Sequence, residues 1–269
     1  MKKLIAVDLD GTLLDNKADI SKAHKDILTR AMKAGHKVAI ITGRHFYGSS
    51  DVAKELDFDK YGGILSSSNG ANVYDFGKKE NIINHDIDHK LAREMIDFGT
   101  SLGFDFMVYE DGKIMAEKKD AYDMDFILAK NKVELFVDEN LREKIDFGLN
   151  KIVFAADPNI MDKNFETFRD RFSDSINSIH SMPQFIDAMP KGIHKGKSLL
   201  EIADYFGIKR EDTIAFGDEM NDDTMIEAAG TGVAMANANP EIKKIADEIC
   251  PSNQDDGIAI FLENTLFGK

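Results

Sequence analysis

The chain of 269 residues contains a single cysteine, Cys250. This scarcity excludes an internal disulfide and a zinc site built from several cysteines. Long apolar runs are missing as well: only four apolar residues stand directly before Asp8, too few for the hydrophobic region of a signal peptide. No segment approaches the roughly 20 apolar residues that span a bilayer. We therefore expect a soluble, cytoplasmic protein.

Positive charge is also scarce, because 34 lysines and arginines stand against 48 aspartates and glutamates, giving a net charge of −14. This surplus opposes nonspecific binding to nucleic acid or to anionic membranes, and we expect neither as a partner. It does not exclude an anionic substrate, because a bound metal reverses the sign of the local potential. With 43% apolar residues, the chain has enough material for a substantial core, which argues against intrinsic disorder.

The first 75 residues alternate between strand-like and helix-like patterns. Apolar runs at residues 4–7, 38–41 and 63–65 predict buried strands. Ser21 is the predicted N-cap of an intervening helix that carries Ile27, Ala31 and Ala34 on one face and ends at Gly35. Strands separated by helical crossovers predict βαβ units and a parallel sheet.

Residues 82–188 follow a different pattern. Apolar spacing predicts amphipathic helices around residues 91–102 and 165–172. Strands are predicted at 104–109 and 113–116, joined by a turn at residues 110–112, and at 151–156, 175–181 and 184–188. Helices packed on one antiparallel sheet make an α+β domain.

The alternation of strands and helices returns after Pro190. Helices are predicted near residues 197–206 and 222–229, and strands at 213–216, 232–235 and 248–250. We therefore predict a Rossmann-like, doubly wound parallel sheet formed by residues 1–81 and 189–269, with residues 82–188 inserted as an α+β domain.

Two carboxylates follow the first strand. Asp8 and Asp10 are expected on the same side of the chain, because side chains alternate along a strand. Ligands of an open parallel sheet bind beyond the carboxyl ends of its strands. Two carboxylates there repel each other unless a cation lies between them or one is protonated, and Mg²⁺ suits this task. Taken alone, Asp-x-Asp-Gly describes a surface loop with a turn glycine equally well.

Similar groups follow two other predicted strands. Thr42-Gly43-Arg44 offers a hydroxyl and backbone N–H groups that can hold phosphate oxygens, although an ordinary turn into a helix has the same composition. Asp218, Asn221 and Asp222 follow the strand at 213–216, where a helix cap would explain one of the three. The three strand ends together predict one site.

The segment from Gly192 to Ser198 is close to a phosphate-binding P-loop in composition. Three residues separate its glycines, whereas the P-loop motif requires four. We therefore reject a P-loop. Lys195 remains, at the start of a helix, either to neutralise a phosphoryl group or as part of a solvated lysine cluster.

In combination, these motifs resemble the haloacid dehalogenase (HAD) superfamily phosphatases of the Cof-like subfamily, which insert a large α+β cap (type IIB) between their second and third motifs. The four motifs occur in order as Asp8-Leu9-Asp10-Gly11-Thr12, Thr42-Gly43-Arg44, Lys195-Gly196 and Gly217-Asp218-x-x-Asn221-Asp222. Asn69-Gly70-Ala71 and residues 253–257 are also similar to the family, so the resemblance covers essentially the whole chain. The inserted domain carries no assignable motif.

The resemblance implies catalytic and metal-binding roles. Asp8 would be the nucleophile that forms an aspartyl-phosphate. Asp10 would act first as general acid towards the leaving alcohol and then as general base towards water. Asp8, the backbone carbonyl of Asp10, and Asp218 would hold Mg²⁺.

The resemblance also implies a binding site for the transferring phosphoryl group. It would be bound by the Thr42 hydroxyl, the backbone N–H groups of Leu9 and Gly43, and the side chains of Lys195 and Asn221. Further residues implied around the site are Asp222, which would orient Lys195 or a metal-bound water, together with Arg44 and Asn69.

We therefore expect a Mg²⁺-dependent phosphatase of small phosphorylated metabolites, with sugar phosphates as the leading class and FMN or nucleotide-like esters next. The cap is expected to set this choice by closing over the leaving group. A phosphomutase on the same scaffold and a non-catalytic sensor of a phosphorylated metabolite are the alternatives. The expected partner is a small phosphorylated metabolite, and the protein itself is expected to be a monomer or a small homo-oligomer.

Overall fold

A computed structural model of the protein describes residues 2–110, 112–131 and 133–268. It divides into two compact units, Met1–Ile83 with His194–Lys269 and Asn84–Ile193. The sequence predicts boundaries after residues 81 and 188; the strands at these points, Glu80–Asn84 and Phe185–Pro190, extend beyond both. Asp111, in the predicted turn at residues 110–112, lies outside the described residues.

The strands, numbered in chain order, are β1 Leu4–Val7, β2 Lys37–Ile41, β3 Ile64–Ser67, β4 Asn72–Asp75, β5 Glu80–Asn84, β6 Asp105–Glu110, β7 Lys113–Ala116, β8 Glu134–Val137, β9 Ile152–Ala155, β10 Ile176–Met182, β11 Phe185–Pro190, β12 Thr213–Gly217, β13 Thr231–Met235 and β14 Glu248–Cys250. The α-helices are α1 Lys22–Lys33, α2 Ser50–Glu55, α3 Phe58–Tyr61, α4 His89–Ser101, α5 Met124–Asn131, α6 Leu141–Lys144, α7 Pro158–Phe172, α8 Lys195–Tyr205, α9 Asp223–Ala228, α10 Pro240–Ile245 and α11 Gly257–Leu262. Within the described ranges, no helix is both long and apolar enough to cross a membrane.

The first unit is built on an eight-stranded sheet in the order β14-β13-β12-β1-β2-β3-β4-β5. From β14 to β3 the neighbouring strands pair in parallel, as the sequence predicts. β4 pairs antiparallel with β3, so the sheet is mixed at this edge, and neither β4 nor β5 is predicted from the sequence. The chain leaves β1 towards β2 on one side and returns at β12 on the other. The carboxyl end of β1 is therefore the point where the strand order reverses, which is where open α/β sheets bind ligands.

Helices cover both faces of this sheet. Ile5 and Val7 of β1 pack in a cluster with α1 and α11, whereas Leu4 and Ala6 pack in a second cluster with α8 and α9. The short apolar run of β1 thus serves two cores, because alternate side chains of a strand point to opposite faces. Ala34, predicted on the buried face of α1, is instead the exposed C-cap residue of that helix.

The second unit is the predicted α+β domain. Its six-stranded sheet has the order β10-β11-β9-β6-β7-β8, antiparallel except for the β7–β8 pair. Residues of α4 and α7 pack against it in one apolar cluster, with Phe104, Phe154 and Phe168 among its buried rings. The sequence does not predict α5, α6 and β8, which lack a clear apolar period.

The first turn of α8 packs closely against the backbone of α9, and this contact fixes where α8 begins. A Cβ atom added at Gly196 would lie 2.2 Å from the backbone oxygen of Thr224. The amide nitrogen of Gly196 also donates to the Thr224 hydroxyl at 3.2 Å. Only a glycine lets the first turn of α8 lie this close to Thr224.

We predict that Gly196→Ala destabilises the protein, although glycine-to-alanine changes inside helices usually stabilise by about 1 kcal/mol. The added methyl group overlaps backbone that cannot rotate away, and overpacking of this kind costs about 1–3 kcal/mol. Urea denaturation followed by circular dichroism measures the loss. Asp204→Ala, at an exposed position of the same helix, is the control and should stay near wild type. Increased stability of Gly196→Ala would contradict the prediction.

Candidate active site

Three neighbouring strands end beside one another and carry polar side chains there. Asp8 follows β1, Thr42 follows β2 and Asp218 follows β12, and all three side chains are buried. The amide nitrogen of Asp8 donates to Phe216 O at 3.1 Å, and that of Thr42 donates to Ser66 O at 2.9 Å. These bonds extend the sheet beyond its regular strands and fix where the polar side chains begin.

Lys195, the first residue of α8, lies at the centre of the site. Its side chain is fully buried, and Nζ lies 2.6 Å from Asp8 Oδ1 and 2.6 Å from Asp222 Oδ1. His194 caps the helix, since its Nδ1 accepts a hydrogen bond from the amide of Lys197 at 3.2 Å. A buried ammonium is tolerated only when it is paired and hydrogen-bonded, and here two carboxylates provide that pairing.

Burial and charge shift the pKa values of these groups. Desolvation raises the pKa of Asp8 to about 7, although the Lys195 ammonium lowers it. Desolvation also raises the pKa of Asp218 to about 6, against the hydrogen bond from Thr12. Burial lowers the pKa of Lys195, but the Asp222 and Asp8 carboxylates outweigh that effect and hold the pKa above its ordinary value. Lys195 therefore stays charged at neutral pH, whereas Asp8 titrates near neutrality in the metal-free protein.

Asp222 holds both the lysine and the loop after β12. Its Oδ1 accepts the hydrogen bond from Lys195, and its Oδ2 accepts from the amides of Asp218 at 2.9 Å and Glu219 at 3.1 Å. Both oxygens thus have protein partners. This arrangement suits a residue that positions its neighbours.

The donor set of the site fits a hard divalent cation. Among the described residues, Asp8, Asp218 and Asp222 each offer a carboxylate oxygen, and these oxygens lie within 4.8 Å of one another. Mg²⁺ prefers such oxygen ligands and often binds through one or two carboxylates. When all three are ionised, the single ammonium of Lys195 leaves an excess of negative charge that a divalent cation would balance. The residues present therefore fit Mg²⁺.

The loop after β1 holds Asp218 in place. Thr12 Oγ1 donates to Asp218 Oδ1 at 2.8 Å. Gly11 has φ +78°, and a Cβ atom there would lie 2.2 Å from Asp218 Oδ2. The glycine thus serves both the left-handed turn and the close approach of the carboxylate. Sequence reasoning gives Thr12 no role, although a hydroxyl two residues after Asp10 is the signal that points to one.

Asp10 is not one of the three clustered carboxylates. Its side chain is 59% exposed, and β1 ends at Val7, before both aspartates. The Arg44 guanidinium grips the Asp10 carboxylate, with Nε donating to Oδ2 at 2.8 Å and Nη2 to Oδ1. Arg44 is itself held by the carbonyl of Gly48 at 3.2 Å. The sequence predicts Arg44 near the site, and the structure shows that its partner is the carboxylate of Asp10.

The remaining predicted residues surround Gly43. A Cβ atom at Gly43 would lie 3.2 Å from Asn69 Oδ1 and 3.6 Å from Asn221 Nδ2, so two carboxamides flank this glycine. The Thr42 hydroxyl accepts a hydrogen bond from the Arg44 amide at 3.1 Å. The side chain of Leu9 is fully buried in the core, so Leu9 offers the site only its backbone. The structure thus brings the predicted residues to one edge of the sheet.

Comparison with known proteins agrees with this geometry. A family model described as haloacid dehalogenase-like hydrolase matches residues 5–262. The chain is 29% identical to the 5-amino-6-(5-phospho-D-ribitylamino)uracil phosphatase YwtE of Bacillus subtilis, with 99% of each chain covered. It is 30% identical to YitU, a phosphatase of the same name from that organism, with 97% of this chain and 96% of the relative covered. The crystal structure of a haloacid dehalogenase-like hydrolase from Bacteroides thetaiotaomicron superimposes with a TM-score of 0.92 at 30% identity, covering 99% of this chain and 100% of that one.

We predict that Mg²⁺ stabilises the protein more at about pH 8 than at about pH 5. Without metal, the raised pKa values of Asp8 (about 7) and Asp218 (about 6), against the ordinary 3.8, make both carboxyl groups favour the protonated form in the folded state. The stabilisation that these protonated carboxyl groups give the folded state is fully present below the ordinary pKa of 3.8. It is lost as the pH rises through the raised pKa values of about 6 and about 7. Mg²⁺ binds the ionised carboxylates, so its effect on the melting temperature should grow over this interval.

Calorimetric melting curves with EDTA or with excess Mg²⁺ measure this difference. Asp218→Asn removes one of the two titrating carboxyl groups and should show a smaller increase with pH. An equal Mg²⁺-induced shift of the melting temperature at both pH values would contradict the prediction.

Proposed function

We propose that this chain, which belongs to the haloacid dehalogenase-like hydrolase family, hydrolyses phosphomonoesters with Mg²⁺ through an aspartyl-phosphate on Asp8. Membership of the family and the curated relatives make the chain a phosphoric monoester hydrolase that acts on small phosphorylated metabolites. The observation that carries the finer proposal is the buried Lys195 between Asp8 and Asp222, beside Asp218.

The proposed nucleophile is Asp8. A carboxylate oxygen of Asp8 attacks phosphorus, and the bond between phosphorus and the ester oxygen breaks as Asp10 gives that oxygen a proton. Water then attacks the phosphorylated Asp8, Asp10 takes the proton from the water, and phosphate leaves with the carboxylate restored. Lys195 supports ionised Asp8 through the hydrogen bond at 2.6 Å.

Arg44 supports the second of these steps. Its guanidinium pairs with the carboxylate of Asp10, and an arginine partner favours the ionised form of an aspartate. Ionised Asp10 is the form that accepts a proton from water. The first step requires the protonated form, so Asp10 would exchange its arginine contact for the leaving oxygen when substrate binds.

The site must mainly compensate the negative charge of the phosphoryl group, because phosphoryl transfer depends chiefly on positioning and electrostatic stabilisation. Bound Mg²⁺, held by Asp8, Asp218 and the Asp10 backbone carbonyl, would supply positive charge against the phosphoryl oxygens. Lys195 adds the charge that the protein itself provides. The remaining proposed phosphoryl ligands are the hydroxyl of Thr42, the backbone amides of Leu9 and Gly43, and the carboxamide of Asn221.

We place the substrate among esters in which the phosphate sits on a sugar or sugar-alcohol chain. Both curated relatives described above are named for 5-amino-6-(5-phospho-D-ribitylamino)uracil. That molecule joins a phosphorylated ribityl chain to a pyrimidine, so it combines the sugar-phosphate and the nucleotide-like classes that the sequence favours. At 29% and 30% identity these names support a class of substrate for this chain and put that ester first in a screen.

We expect Asp8→Asn to reduce phosphate release from a generic phosphate ester by about 1,000-fold or more, since the amide cannot act as the nucleophile. Phosphate release is measured colorimetrically, and circular dichroism checks that the variant is folded. Asp59→Asn, an exposed position of α3 in the same unit, is the matched control and should retain wild-type activity. Substantial activity in a folded Asp8→Asn variant would contradict the proposed mechanism.

A phosphate-release screen over sugar phosphates, FMN and 5-amino-6-(5-phospho-D-ribitylamino)uracil should identify substrates whose hydrolysis stops with EDTA and returns with Mg²⁺. Activity unaffected by EDTA would contradict the role of the metal. Dependence on a bisphosphate activator with little phosphate release would indicate a phosphomutase. Binding of a metabolite in the presence of Mg²⁺, with no release, would indicate a sensor.

A further inference from the structure

The loop that follows β1 is held by side chains from distant parts of the sequence. Asn237 Nδ2 donates to Gly11 O at 2.8 Å, His24 Nδ1 donates to Leu13 O at 3.2 Å, and Asn253 Nδ2 donates to Leu14 O at 2.7 Å. Three carbonyls within four residues thus accept hydrogen bonds from side chains outside the loop.

The two asparagines are linked to each other. The amide nitrogen of Asn253 donates to Asn237 Oδ1 at 3.1 Å, while Asn237 Nδ2 points to Gly11. Asn237 therefore has an acceptor and a donor partner that fix the orientation of its carboxamide. Asn253 is almost fully buried, at 5% exposure. A carboxamide neither titrates nor acts as a nucleophile, so these two side chains can contribute to the site only by holding other residues in position.

The segment around Asn237 also reaches the other side of the site. Two residues further on, the amide nitrogen of Asn239 donates to the backbone oxygen of Asp218 at 2.8 Å. One stretch of chain after β13 thus contacts both Gly11 and Asp218. Gly11 and Asp218 approach each other so closely that position 11 has no room for a Cβ atom. Next to Gly11, the Thr12 hydroxyl donates a hydrogen bond to Asp218 Oδ1 at 2.8 Å.

The backbone of the loop is also paired locally, since Leu14 forms isolated bridges with Asp10 and with Ile20. Its amides are satisfied locally, with Leu13 N and Leu14 N both donating to Leu9 O at 3.1 and 2.9 Å. The carbonyls of Gly11, Leu13 and Leu14 face outward to the side chains described above. Buried backbone oxygens are nearly always paired, and loss of the Asn253 side chain would remove a donor from Leu14 O.

We propose that Asn237 and Asn253 are positioning residues for the metal site: they hold the loop of residues 11–14 so that Thr12 presents Asp218 to the bound cation. This inference rests on the proposed function, because it assigns the metal to Asp218. The asparagines would act through Gly11, Leu14 and Thr12. A purely structural role would stabilise the fold without affecting the affinity for metal.

The first test compares Mg²⁺ binding to metal-free wild type and Asn253→Ala by isothermal titration calorimetry, at a temperature where both are folded. We expect the Kd for Mg²⁺ to rise about five- to tenfold, the effect of one lost hydrogen bond of about 1 kcal/mol or slightly more. In the kinetic assay, the Mg²⁺ concentration needed for half-maximal activity should rise by a similar factor, with the KM for the ester nearly unchanged. Gln254→Ala, at the exposed neighbouring position, is the control and should bind Mg²⁺ as wild type does.

Asn237→Ala gives a second variant that leaves the charge of the site unchanged. It loses both the N–H donor to Gly11 O and the oxygen that accepts from the amide of Asn253. We expect the same weakening of Mg²⁺ binding as in Asn253→Ala. Unchanged Kd values in both folded variants, whatever their melting temperatures, would overturn the proposal and leave a structural role.

A double-mutant cycle with Thr12→Val tests the route of the effect. Thr12→Val removes the hydroxyl that holds Asp218, so Asn253→Ala should change the Kd for Mg²⁺ by less than about twofold in that background. The same factor in both backgrounds would show that Asn253 does not act through Thr12. These measurements do not depend on turnover. If wild type bound Mg²⁺ but hydrolysed no phosphate ester, the proposed function alone would fail.

Discussion

The buried ammonium of Lys195 is the interaction on which the rest of the site depends. It lies at 2.6 Å from both Asp8 and Asp222 with no exposure to solvent. Removing one partner of a buried charge pair costs about 3–5 kcal/mol, because the other charge is left unpaired. Lys195 comes from α8, Asp8 from β1 and Asp222 from the turn before α9, so the pairing joins the three segments. Asp222 then fixes the loop that carries Asp218.

The backbone brings these groups together through close packing as much as through charge. Gly196 lets α8 reach Thr224, and Gly11 lets the first loop approach Asp218. Both contacts leave no room for a Cβ atom, so the charged side chains are positioned by segments that cannot easily shift. The asparagines at 237 and 253 continue this arrangement on the far side of the loop. Fixed positions of this kind are what phosphoryl transfer requires, since its catalysis depends mainly on orientation and electrostatics.

Part of the negative charge behind the net charge of −14 is concentrated in this site. Three carboxylates lie within 4.8 Å of one another at the end of the central strand, and burial raises the pKa of two of them, Asp8 and Asp218. An acidic protein thus concentrates negative charge where a divalent cation and an ammonium can neutralise it. A site neutralised in this way would suit an anionic phosphate, although the net charge of the chain opposes nonspecific binding of polyanions.

The sequence by itself determines the parallel sheet and the inserted α+β domain, because buried strands and amphipathic helices leave regular apolar patterns. It also determines that Asp8, Thr42 and Asp218 meet, because the ends of neighbouring parallel strands share one edge. It misses β4, β5 and β8, whose mixed apolar and polar residues carry no clear period. Only the tertiary structure decides that Asp10 turns to Arg44, that Thr12 holds Asp218, and that Asn253 supports Leu14 from 239 residues away. These are contacts of single side chains across long separations in the chain, and no local pattern encodes them, since each depends on how the finished sheet and its loops pack.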